Sequence, residues 1–200
     1  MIASLVLVAG GVELYRYISS APARAAAAVA EGLRLAASGN EDMALKSLNH
    51  AIAIRPQSAT AYLQRGLLHQ HHQETDPAMD DFNHALQLDP HLAEAHIAMG
   101  SMYRSLGNPS RAMQEFSTAL KEKPSLDAYF QLGQSYEDLG QHRLAIDYYT
   151  AAVQFFPDAP EIYRARATSE LAIGEVEAAK LDRARAAAIE DRVFGLRRSQ

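Results

Sequence analysis

Between Gly32 and Pro56 the apolar residues recur at helical spacing, and the same holds from Gly66 to Pro90, Gly100 to Pro124 and Gly133 to Pro157. The glycines are spaced 34, 34 and 33 residues apart, and so are the prolines. Midway through each stretch the pattern breaks, at Gly39, Gln73, Gly107 and Gly140. Each unit is therefore expected to be a helix, a short turn and a second helix, each helix of roughly 13 residues and about 20 Å. Further columns keep the same register: Ala44, Ala78, Ala112 and Ala145; Leu48, Phe82, Phe116 and Tyr149; Ala51, Ala85, Ala119 and Ala152.

The columns have a common physical logic. Small residues such as Gly66 and Ala78 belong where the two helices of a hairpin approach closely, and a larger side chain there would add overpacking strain of roughly 1–3 kcal/mol. The bulky column, Phe82 or Phe116, fills the space between hairpins. Proline just beyond the second helix ends it, because proline has no N–H to donate. Glycine at Gly39, Gly107 and Gly140 suits the left-handed conformation that follows many helix C-termini. In the second unit Gln73 takes that place, and Asp76-Pro77 offers an N-cap followed by proline at the first helical position.

At these residues the chain resembles the tetratricopeptide repeat family. The third unit reads His96, Met99-Gly100, Tyr103, Ala112, Phe116, Ala119, Pro124, and the fourth Tyr129, Leu132-Gly133, Tyr136, Ala145, Tyr149, Ala152, Pro157. The second reads Tyr62, Arg65-Gly66, His69, Ala78, Phe82, Ala85, Pro90; the first departs at its front, with Ala28 and Leu35. A fifth unit keeps Tyr163, Gly174, Ala179 and Ala186 but has Ala167 for the glycine and Asp191 for the proline. Its charged second helix reads as a solvated cap. The resemblance implies an all-α fold: a right-handed superhelical array of helix-turn-helix repeats, with an N-terminal apolar helix. The expected organisation is an apolar helix over 1–18, a linker over 19–24, repeats over 25–58, 59–92, 93–125 and 126–159, a degenerate cap over 160–191 and a tail over 192–200.

Residues Ile2 to Val12 are apolar but for Ser4, and Glu13 and Arg16 then interrupt. Eleven residues span about 17 Å, against a hydrocarbon core of about 30 Å. Counting on to Ile18 supplies the length, with Arg16 able to snorkel and Tyr15 and Tyr17 suited to an interface. Three readings stand: a membrane anchor over 2–18, a signal peptide removed near Ala21-Pro22-Ala23, or a structural helix capping the array. Under the anchor reading Arg16 sits at the end of the span and Arg24 and Arg34 follow it, which places the repeats in the cytoplasm. Under the signal reading the chain is exported. The tail residues Val193, Phe194 and Leu196 would dock on the cap or meet a partner.

Charge and composition narrow the chemistry. Lys and Arg total 19 against 24 for Asp and Glu, a formal net charge of −5, so no basic excess exists to neutralise a nucleic acid backbone. Cysteine is absent, which removes disulfides, thiol nucleophiles and thiolate metal sites. No phosphate-cradling loop, dinucleotide fingerprint, nucleophile elbow or His-Glu-x-x-His occurs, so neither an active site nor a cofactor is expected. His69 and His72, three apart on one helix face, are spaced for two metal ligands. His69 occupies the repeat's tyrosine column, however, and the expectation is a structural histidine; no metal ligand set is assigned.

In the resembled family the first helix of each hairpin lines the inner surface. Carried over, the partner-binding groove comprises Leu63, Leu67, Gln70, Ile97, Ser101, Arg104, Phe130, Gln134, Glu137 and Arg164, with Val29, Leu33 and Thr168 nearby. Members that clamp a terminal carboxylate use lysine and asparagine at inward positions. This chain has Val29, Leu63, Ile97 and Phe130, with Leu33 and Ser101, in those columns, so that clamp is missing. An apolar groove with a few charges suits an extended peptide or an amphipathic helix. The expected function is a non-enzymatic adaptor for a protein partner, with association at a membrane through 2–18. Two alternatives stay open: self-assembly into a homo-oligomer through the array ends or the N-terminal helix, and an accessory metal-binding subunit.

Overall fold

The structure is a computed structural model that describes the backbone of residues 2–198 and the side chains of 20–192. The described residues form ten α-helices and no strand: α1 (Ile2–Ala37), α2 (Glu41–Ile54), α3 (Ala59–His71), α4 (Thr75–Leu88), α5 (Ala93–Ser105), α6 (Pro109–Glu122), α7 (Leu126–Asp138), α8 (His142–Phe155), α9 (Pro160–Ala172) and α10 (Val176–Arg198). They group into two compact units, Met1–Pro90 and His91–Gln200.

Turn chemistry explains where the helices pair. At the first breaks the left-handed residue is Gly39, Gln73, Gly107 or Gly140, with Gly174 in the last hairpin. In each turn the next N–H reaches back five residues: Asn40 to the Leu35 carbonyl, Glu74 to His69, Asn108 to Tyr103, Gln141 to Tyr136 and Glu175 to Glu170, all at 2.8–2.9 Å. That bond satisfies a carbonyl the helix end would otherwise leave open. Gln73 is the exception in type, a non-glycine at φ +62°. Gln73→Gly should raise stability by about 0.5–1 kcal/mol, because a Cβ is strained in that region. A higher urea midpoint checks it. The second helices end differently: Arg55, Asp89 and Lys123 have extended backbone, the conformation a following proline imposes.

In the first unit α2 packs on both α1 and α3, and α4 pairs with α3. Val29, Leu48, Ala51 and Ala61 form a buried cluster, and Phe82 is fully buried. A Cβ on Gly66 would lie 2.7 Å from the Phe82 ring, which is the small-against-bulky fit expected from the repeat.

The second unit holds three hairpins, α5/α6, α7/α8 and α9/α10, with α6 against α7, α8 against α9, and the first helices touching in sequence, α5 to α7 and α7 to α9. Phe116 and Tyr149 are its largest fully buried rings. A Cβ on Gly100 would come within 2.6 Å of Phe116, and one on Gly133 within 2.3 Å of Tyr149. Tyr163 lies on α9, and its hydroxyl donates to the Pro157 carbonyl at 3.1 Å.

The leucine of the repeat's leucine-glycine pair is replaced by Arg65 on α3 and Arg166 on α9. Each guanidinium donates two hydrogen bonds to an aspartate 16 residues on, Arg65 to Asp81 at 2.7 and 2.8 Å and Arg166 to Asp182 at 2.6 and 2.8 Å. The remaining nitrogen reaches 16 residues back, to Asn49 at 2.6 Å or Thr150 at 3.0 Å. The two ladders replace an apolar contact with a matched, bidentate polar one.

The N-terminal linker needs correcting. No break in helix occurs over 19–24: α1 runs without interruption from Ile2 to Ala37 with Pro22 inside it. Proline removes one intrahelical bond, but the run from Ala23 to Ala30 is rich in the strongest helix former. The side chains of 2–18 and of Val193, Phe194 and Leu196 lie outside those described, and with them the anchor, signal and tail readings. Among the described residues no helix is long and apolar enough to cross a membrane.

Candidate functional site

The residues expected to line a partner surface fall in both units, and the structure treats them unequally. In the first unit Leu63 is only 3% exposed; it belongs to the interior and offers no surface to a partner. One turn on, Leu67 is 38% exposed, and Gln70 is half-buried. A helical turn separates the two leucines, yet one is covered and the other open.

In the second unit the first helices lie side by side, so their facing residues meet. Phe130, Gln134 and Glu137 from α7 and Arg164 from α9 line one open hollow of about 340 Å³, together with Glu161, Ala165 and Thr168. The spacing along α9 explains the last set, since 161, 164, 165 and 168 share a helical face. Glu161 and Ala165 were missing from the sequence reading, although that periodicity predicts them. Ile97 on α5 packs into the buried clusters of Ala93, Ala119 and Ala128 and of Phe116 and Leu132. Ser101 is half-buried beside it on the same helix. Arg104 lies 3.6 Å from Asp138, so its charge is engaged across α5 and α7.

The floor of the hollow is set by packing. Phe130 lies against Tyr149, ring centroids 6.3 Å apart. The Tyr149 hydroxyl donates to one Glu137 oxygen at 3.1 Å, and the Ser169 hydroxyl donates to the other. Burial first, and the Glu137 charge second, push the Tyr149 hydroxyl well above the usual tyrosine range, which keeps it a donor. Glu137 thus ties α7, α8 and α9 together while carrying negative charge at the hollow's edge. Arg164 is paired with Glu190 of α10. The result is an apolar floor, Phe130 and Ala165, with a rim of carboxylates, an arginine, an amide and a hydroxyl.

Next to this region Glu170 is buried, and its Oε2 has no hydrogen-bond partner among the described residues. Burial first, then the neighbouring Asp182, raise its carboxyl above the ordinary value of 4.5, while Arg166 pulls the other way. A folded value above the unfolded one means that this group's contribution is present below the unfolded pKa and is lost as pH rises through the folded one. Glu170→Gln should therefore gain on the unaltered chain as pH rises above the ordinary glutamate range. Urea midpoints measured for both across pH 4–8 check this; a constant gap would contradict it.

The three-residue spacing of His69 and His72 does not bring the two rings onto a common partner. His69 Nδ1 lies 2.5 Å from Glu74, and its Nε2 3.9 Å from Asp81, whereas His72 bonds Glu41. The reason is that α3 ends at His71 and His72 is its C-cap, so helical spacing no longer governs where the second ring goes. Tyr148 stacks on Tyr136 at 5.2 Å, and Phe155, 54% exposed, stacks on Tyr129 at 6.0 Å.

Family profiles of the tetratricopeptide repeat match residues 59–92, 97–160 and 130–192. Among solved structures, MamA is similar with a TM-score of 0.71 at 21% identity, over 82% of this chain and 96% of MamA. A thermophilic repeat protein of the same family from Thermus thermophilus gives 0.67 at 22%, over 86% of this chain and 95% of its own. PilW, a widely conserved type IV pilus biogenesis factor, gives 0.76 at 20%, over 84% of this chain and 78% of PilW. At these identities the likeness is one of fold. No curated protein matches the chain in sequence.

Proposed function

The chain belongs to the tetratricopeptide repeat family, whose members are protein–protein interaction scaffolds, and on that premise we propose that it is an adaptor that takes a short segment of a partner protein against its first-helix faces. The observation that carries this is the hollow between α7 and α9, where Phe130, Gln134, Glu137 and Arg164 converge. Its apolar floor would take a large apolar side chain of an extended peptide or amphipathic helix. The polar rim would fix that segment's register through hydrogen bonds and charge. Leu67 and Gln70 supply the corresponding face in the first unit.

The test takes proteins captured on the chain, identifies one by mass spectrometry and measures its affinity for three versions. Gln134→Arg/Thr168→Arg fills the hollow with two long cations, and Leu67→Glu places a charge on the exposed leucine. Each should weaken binding at least tenfold, about 1.4 kcal/mol, with the far-ultraviolet circular dichroism unchanged. Unchanged affinity for both would remove these faces from the reading.

Tethering at a membrane through residues 2–18 is part of the same proposal, supported by the apolar run from Ile2 to Val12. Flotation with lipid vesicles of the full chain, compared with a chain lacking residues 1–22, decides it. Light scattering on the same pair reads self-assembly through that segment.

A further inference from the structure

Two consecutive histidines end α3, His71 as its last residue and His72 as its C-cap with φ −77° and ψ 2°. At the opposing turn Glu41 is the first residue of α2, and the preceding Asn40 makes no side-chain capping bond. The carboxylate of Glu41 meets both rings. Its Oε1 lies 3.0 Å from His71 Nδ1, and its Oε2 is hydrogen-bonded to His72 Nε2. One ligand atom from each of the three residues can be chosen so that all lie within 4.8 Å of one another. The imidazole rings are 6.0 Å apart and tilted by 48°, so they do not stack on each other.

A tetrahedral zinc ion with bonds of about 2.0–2.1 Å needs its ligand atoms roughly 3.3–3.4 Å apart. One carboxylate oxygen, Oε1, already lies near that edge from His71 Nδ1, at 3.0 Å, while Oε2 holds His72 Nε2 by a hydrogen bond. Side-chain rotation then has to bring one ligand atom from each residue, already within 4.8 Å of one another, to that spacing. Two neutral imidazoles and one carboxylate form a donor set that zinc takes while keeping a fourth position open. Imidazole also suits nickel and copper. Magnesium and calcium, which require six or more oxygen ligands, are poorly served. The site is held at one side and open at the other: the Glu41 and His72 side chains are under a third exposed, whereas that of His71 is 71% exposed.

We propose that Glu41, His71 and His72 form a binding site for a divalent transition metal, zinc in the first instance, that cross-links the turn of the first hairpin to the turn of the second. The ion would join residues 30 and 31 positions apart and leave its fourth position to water. The site lies within the first compact unit and is independent of the adaptor reading.

The experiment is isothermal titration of the metal-stripped full chain with zinc chloride, repeated with magnesium chloride. One zinc per chain is expected, and no magnesium. A saturating excess of zinc, about a hundred times Kd, should raise the melting temperature by roughly 5–10 °C. His71→Ala, His72→Ala and Glu41→Gln should each weaken zinc binding at least tenfold, while His69→Ala and His50→Ala should leave it unchanged. His71 is exposed enough for its replacement to be safe for folding, and circular dichroism on each variant verifies that. Absence of stoichiometric binding, binding that survives His71→Ala and His72→Ala, or loss on His69→Ala instead would each overturn the site.

Discussion

Tyr149→Ala should cost about 3–5 kcal/mol, the range for deleting a buried aromatic ring from a packed core. The ring is fully buried and occupies the volume that a Cβ on Gly133 would need, at 2.3 Å. No small shift of α7 or α8 refills that space, because the hairpin already approaches as closely as glycine permits. Truncation also removes the ring under Phe130 and one donor to Glu137, so partner binding at the α7–α9 hollow should weaken alongside stability. Tyr149→Phe, which deletes the hydroxyl alone, should cost only about 1 kcal/mol. Gly133→Ala by itself also destabilises, yet combined with Tyr149→Ala its cost should fall, since the methyl then enters a vacated space. Urea denaturation, with amide exchange in α7 and α8, reads the whole cycle. Exchange matters here because neighbouring repeats need not unfold in one step.

Arg166→Met is expected to be comparably severe, about 3–5 kcal/mol, because it strips the counter-charge from a buried ion pair. The side chains of Arg166 and Asp182 are 16% and 10% exposed, and Glu170 also approaches the guanidinium, at 3.8 Å. Without the arginine, two carboxylates face each other with little water. The double variant Arg166→Met/Asp182→Leu should recover most of the loss, because apolar replacement of both partners is often neutral. Two other members of the same column, Met99 and Leu132, are apolar and buried, so the fold has room for that solution. Failure of the double variant to recover would mean that the polar ladder does more than balance charge.

What could be read in advance was whatever is local or periodic. The turns at Gly39, Gln73, Gly107 and Gly140 follow from a backbone requirement confined to one residue, and the glycine-against-aromatic columns follow from a strict repeat. Leu63 was misread because helical phase says which residues share a face, not which of them a neighbouring helix covers. The arginine ladders were legible but overlooked: in both hairpins the partner lies 16 residues away, the fixed offset across the pair. The spacing of His69 and His72 suggests a shared face, but that rule belongs to helix interiors and α3 stops at His71. The linker expected over 19–24 contains one proline, Pro22, whose lost bond is outweighed by the alanines that follow.

The unbroken course of α1 changes what an N-terminal attachment can transmit. Its 36 residues make a rod of about 54 Å at 1.5 Å per residue, and its C-terminal part is itself half of the first hairpin. A leash of glycine and serine would let the repeats swivel freely. Were residues 2–18 held as proposed, such a rod would act as a strut and aim the hairpin at its far end. Pro22, one backbone bond short, is where such a strut would yield first under torque.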